Sequence, residues 1–132
     1  MYETGGAILE FWHDGGDFVL RSANVEDLAA TDMDTTYAGN NFALTIPGFS
    51  TAAECTFIGT YSNNPGNINW QTYGQTDTAG HVVSGLNVAG VVSSNTLKVI
   101  TSSDQQIAVI ISGDSTNTAQ VYTNGWYFPA GM

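Results

Sequence analysis

Apolar residues along this chain alternate with polar ones over short runs and almost never recur at helical spacing. The runs are rich in Thr, Val and Ile and are broken by Gly, Asn, Asp, Ser and Pro, the punctuation of strands. The pattern predicts strands at 6–12, 17–22, 41–47, 54–61 and 67–73. It predicts further strands at 81–85, 87–92, 95–102, 105–112, 118–123 and 125–128. Only 24–31 (NVEDLAAT) reads as helical, for one or two turns behind an Asn24 cap.

Turn chemistry separates these runs. His13-Asp14-Gly15-Gly16 joins the first two as a hairpin, and Ser102-Ser103-Asp104 makes a tight polar turn between LKVI and IAVII. Asn124-Gly125 is the strongest short-range hairpin signal, between VYT and WYF. Pro47-Gly48 and Asn64-Pro65-Gly66 mark further turns, with Pro47 capping a strand. With no repeat and no linker, the spacing predicts one all-β domain over 1–132. Its expected form is an antiparallel β-sandwich, jelly-roll-like, or a closed barrel, of about 8–11 short strands.

Composition narrows the partners. The 132 residues carry twelve acids and two bases, Arg21 and Lys98, for a formal charge of −10. Two cations neutralise too few phosphates for nucleic-acid binding, and they give no hold on an anionic membrane. Apolar runs such as Ala108-Val109-Ile110-Ile111 fall far short of the roughly 20 residues of a membrane span. Met1-Tyr2-Glu3 opens without the basic and apolar regions of a secretory leader, so none is expected.

The charge is also unevenly placed. Eight of the twelve acids lie within the first 34 residues, whereas Cys55 onward holds only Asp77, Asp104, Asp114 and Lys98. The strands of that second part present Thr, Ser, Asn and Gln, which associate at little desolvation cost. Ordinary monomers place more Lys and Glu on exposed strands to block edge-to-edge pairing. Self-association is the expectation.

No motif names a reaction. Cys55 lies in an apolar stretch and reads as a buried thiol, with nothing to bring it to His81. Gly-x-Ser-x-Gly and Gly-x-Gly-x-x-Gly are both absent. Glu10 and Glu54 are the strand-borne carboxylates best suited to a glycosidase pair, and each fits equally well as an outward residue of an alternating strand. His13-Asp14-Gly15-Gly16-Asp17 is explained by its turn. Asp32-Met33-Asp34, followed by Thr35, Thr36, Asn40 and Asn41, alternates oxygen ligands in the manner of a calcium loop. It lacks the glycine and the bidentate Glu of a helix-loop-helix site, so Asp32 and Asp34 are weak calcium candidates in a solvated acidic loop. No other cofactor is expected, and the chain is expected not to be an enzyme.

The aromatic residues are the remaining candidates. Asn67-Ile68-Asn69-Trp70-Gln71-Thr72-Tyr73 offers Trp70 and Tyr73 either as a sugar-stacking platform or as packing. Alternation puts Trp70 with Ile68 and Thr72, opposite Asn69 and Gln71, which favours a core or a subunit interface. In Gly125-Trp126-Tyr127-Phe128-Pro129 the aromatics alternate sides, so Trp126 and Tyr127 are candidates for sugar or subunit contact on opposite faces.

Runs such as GVVSSNTLKVITSSDQQIAVIISGDS and NGWYFPAGM, with their Thr/Asn/Ser/Gly-rich faces and scarce cations, resemble the β-rich structural modules of tailed-bacteriophage virions. Those are capsid decoration, head-fibre and tail-fibre modules. The resemblance is one of style and carries over no functional residue. It implies a non-enzymatic structural protein on the virion surface that self-associates, with a homotrimer favoured, and docks on a larger shell or tail protein. Residues 1–5 would serve as a docking arm. A stand-alone carbohydrate-binding module is the alternative.

Overall fold

The computed structural model describes residues 2–4, 7–9, 11–13, 15–33, 35–62, 64–76, 80–86, 88–113 and 116–129. They form eleven strands: β1 (Tyr2–Thr4), β2 (Ala7–Leu9), β3 (Phe11–His13), β4 (Phe18–Asp32), β5 (Asn41–Ala43), β6 (Ala52–Thr60), β7 (Gly66–Thr72), β8 (His81–Leu86), β9 (Val92–Ile100), β10 (Gln106–Ile111) and β11 (Thr118–Tyr127). No helix occurs among the described residues. The layers are a five-stranded sheet, β3-β4-β11-β6-β9, and a four-stranded sheet, β5-β10-β7-β8. Both are antiparallel and open, so the chain forms a sandwich and the barrel alternative is not realised.

The last eight strands pair as nested hairpins: β7 with β8, β6 with β9, β5 with β10 and β4 with β11. Pairing of β10 with β7 and of β11 with β6 rolls that nest into two sheets. This is the jelly-roll order, two Greek keys wrapped on each other. Strands β1 and β2 pair with each other in a separate two-stranded sheet. The segment read as a docking arm thus has Tyr2–Thr4 in a hairpin strand, while residues 1 and 5 lie outside the described residues.

Alternation sets which side chains enter the core. Along β6, Ala53, Cys55, Phe57 and Gly59 point inward and are buried, while Glu54, Thr56 and Ile58 point outward. Beside them on the same sheet lie Ala119 and Val121 of β11, and facing them from the other sheet are Ile68 and Trp70 of β7 and Ile107, Val109 and Ile111 of β10. Strand β10 is buried from Ile107 to Ile111 without a break, so its unbroken apolar run reflects cover on both faces.

Four expectations need correction or refinement. Residues 24–31 are strand, not helix. Against ten residues of β11, β4 sets fifteen, and the register shifts three times along the pair. These bulges destroy the two-residue period that would have marked a strand. Asn124-Gly125 is no hairpin either: β11 runs through it, and the last register shift lies between Thr123 and Gly125. Glycine is needed there because a Cβ would lie 2.2 Å from the Val19 carbonyl oxygen and 2.8 Å from the Phe18 ring. Residues 88–91, expected to be strand, form a turn in which Val91 N–H donates to the Val88 carbonyl at 3.2 Å. The turn at Ser102–Gln105 is tight and polar as expected, but it carries the chain from one sheet to the other rather than closing a hairpin.

Side chains close both flanks of the sandwich. Between β8 and β9, the Ser84 and Ser93 hydroxyls hydrogen-bond, and Asn95 Nδ2 donates to the Val83 carbonyl at 3.0 Å. Between β4 and the segment after β5, Asp27 accepts from Thr45 N–H at 2.9 Å, the Thr45 hydroxyl at 2.5 Å and the Thr123 hydroxyl. The buried Arg21 donates to the Thr45 carbonyl and lies over the Trp126 ring, 5.7 Å from its centroid. Polar groups with partners can occupy this position because each bond offsets the cost of leaving water.

Candidate functional site

The four aromatic candidates separate into packing and surface. Trp70 is 6% exposed on the inner face of the four-stranded sheet, its ring 4.8 Å from that of His81. Tyr73 follows in the next turn and is 49% exposed. The two therefore form no common platform, and the alternation that set Trp70 apart from Asn69 and Gln71 explains why. Trp126 is 3% exposed and meets Phe11 edge-on at 5.7 Å. Tyr127 points the other way, onto the outer face of the five-stranded sheet. Its ring lies 4.9 Å from that of Phe18, and Lys98 Nζ sits 4.0 Å from its centroid.

Asp32 is the exposed last residue of β4, paired with Thr118, and Asp34 lies outside the described residues. Among the described residues no three His, Cys, Asp or Glu side chains gather as metal ligands would. Of the carboxylates considered for a glycosidase, Glu54 points outward from β6 and Glu10 lies outside the described residues. Cys55 is fully buried, 3.8 Å from the Thr123 hydroxyl, and burial above all pushes its thiol up to about 12. A protonated thiol without access is not a nucleophile.

The surface with organised chemistry is the outer face of the five-stranded sheet. Register sets Glu26, Tyr122, Thr56 and Thr96 in one row across β4, β11, β6 and β9. Glu26 Oε2 accepts from the Tyr122 hydroxyl at 2.7 Å and from Gln120 Nε2 at 2.6 Å. Those two donors hold the Glu26 carboxyl below its ordinary range, and the same bond to Glu26 pushes the Tyr122 phenol up. Beside them Asn124 Nδ2 donates to the Thr56 hydroxyl at 2.9 Å, and the Thr56 and Thr96 hydroxyls lie 2.7 Å apart. A second row crosses the sheet through Trp12, Leu20, Gly125, Glu54 and Lys98. At its edge Trp12 is 59% exposed, the opposite of its neighbour Phe11, which turns to the core.

Sequence reasoning did not single out Trp12, Glu26, Gln120 or Tyr122. The alternation of Phe11-Trp12-His13 contained the signal for Trp12. Gln120 and Tyr122, two apart, contained that for a shared face, but their partner Glu26 lay in the segment misread as helical. Exposed valines also occur at the β8–β9 connection, Val88 and Val91 in the turn and Val92 opening β9, while Val82 stands apart on the outer face of the four-stranded sheet. Comparison with known proteins finds no family model and no curated protein that matches the chain.

Proposed function

We propose that this chain is a non-enzymatic structural module of a virion, which self-associates and decorates a capsid or forms part of a fibre. The observation that supports it best is the run of exposed valines at the β8–β9 connection. Val88, Val91 and Val92 are 61%, 53% and 60% exposed. No described residue from Gly80 to Asn95 carries a formal charge. Exposed apolar surface of this kind marks an association site, and with no ion to desolvate its burial is favourable. Strand β9 is also the edge of its sheet and carries a single charge, Lys98, where monomers ordinarily use several, with Ser93 and Asn95 tying its first part to β8. The jelly-roll order serves viral capsid and lectin domains alike, so the surface and not the fold supports the choice.

Absolute mass by light scattering after size exclusion, over a range of concentrations, tests the proposal. A stable trimer or larger closed oligomer is expected, and Val92→Asp is expected to dissolve it while the circular dichroism of the sheets persists. A 14.0 kDa particle at every concentration would overturn self-association of free copies.

A further inference from the structure

Beyond assembly, the outer face of the five-stranded sheet has the composition of a sugar-binding surface. We propose that it binds a neutral oligosaccharide, with Trp12 stacking on one ring and the Glu26–Gln120–Tyr122 cluster taking hydroxyls of another. Trp12 is exposed at the sheet edge, with Leu20, itself 39% exposed, beside it on β4. An indole face carries the negative side of its quadrupole and attracts the C–H groups of a pyranose. Three residues along β11, or about 10 Å, separate Gly125 from Tyr122, so the ligand must be extended rather than a single sugar.

The polar groups are already fixed. Glu26 is held by two neutral donors, leaving a carboxylate that accepts hydroxyl protons without first reorganising. Thr56 and Thr96 are hydroxyls that donate and accept, bound to each other, and Thr56 also accepts from Asn124.

Charge separates this ligand from the other occupants of a flat face. Glu26, Glu54 and, at the end of β4, Asp32 stand there against Lys98 alone, whose Nζ is engaged over Tyr127. A second copy meeting this face about a two-fold axis would set like charges together, and an anionic glycan or nucleic acid would be repelled. A neutral, hydroxyl-rich chain meets neither penalty.

The test is calorimetric titration of the full chain with cellohexaose, maltohexaose, mannohexaose and chitohexaose, with tryptophan emission followed in parallel. At least one of these is expected to saturate the protein below about 1 mM, with an emission change that Trp12→Phe removes. Trp12→Ala is expected to weaken binding about tenfold or more, and Gln120→Ala with Tyr122→Phe about threefold, with melting temperatures unchanged. No heat and no emission change from any of the four would overturn the proposal. So would binding that survives Trp12→Ala, or an oligomer that Trp12→Ala dissolves, which would identify the face as a subunit contact. The assembly reading stands or falls separately, on Val92→Asp.

Discussion

Tyr122 on β11 gives its phenolic proton to Glu26 on β4 at 2.7 Å, across a strand pair whose register has slipped to bring them opposite. The bond favours ionised Glu26 and neutral Tyr122, so it lowers one pKa and raises the other. The signs give a window. Glu26 contributes stability above its unfolded pKa and loses it as pH falls through the lowered folded value. Tyr122 contributes below its unfolded value of about 10 and loses it as pH rises through the raised one. Ultraviolet difference titration should show one tyrosine ionising later than the free phenol. Glu26→Gln should bring that midpoint back down, and an unchanged midpoint in the variant would refute the coupling.

Gly125 is where strand β11 comes too close to β4 for any side chain. A Cβ there meets backbone, the Val19 carbonyl oxygen at 2.2 Å, as well as the Phe18 ring. Backbone within a sheet cannot yield without breaking its ladder, so Gly125→Ala should destabilise the chain by about 2–4 kcal/mol. Gly48 is the control, with no atom within 4 Å of an added Cβ. Gly48→Ala should stay within about 0.5 kcal/mol of the parent. Urea midpoints at constant m-value decide between these outcomes.

What the sequence disclosed follows from where alternation survives. Strands such as β6 keep a strict period, and their inward Ala53, Cys55 and Phe57 could be read from spacing alone. The sandwich class, the Ser102–Gln105 turn and the buried Cys55 were legible for that reason. Strand β4 was not, because a bulge turns both Asp27 and Leu28, adjacent in the chain, toward the core side and so breaks the period. Asn124-Gly125 misled because glycine serves two needs, a positive φ in a turn and the absence of a Cβ at a close approach. Only the three-dimensional neighbour Val19 tells them apart. The polar row on the outer face was illegible for a related reason. Its members come from strands far apart in the chain, and each alone is an ordinary outward Thr, Gln or Tyr.

Cys55 offers a chemical check on the core. With its thiol pushed up to about 12, the thiolate fraction at pH 8 is roughly one in ten thousand, and no reagent reaches the sulfur. An aromatic disulfide reagent should therefore leave the native protein unmodified and titrate one thiol after denaturation. Rapid labelling without denaturant would show that β6 and β11 part more easily than their packing implies.

Adjacent residues on β6 test the assignment of faces most directly. Phe57 is fully buried between the sheets, while Ile58 stands one position on and turns to the outer face. Phe57→Ala removes a whole aromatic ring from a site closed on every side, and should cost about 3–5 kcal/mol. Ile58→Ala loses surface already partly in contact with water and should cost less than about 1.5 kcal/mol. A one-residue slip of β6 against β11 and β9 would exchange the two faces, and with them the order of the two costs. Chemical denaturation of both variants therefore reads the register itself: a larger loss at Ile58 than at Phe57 would place the wrong face of β6 in the core.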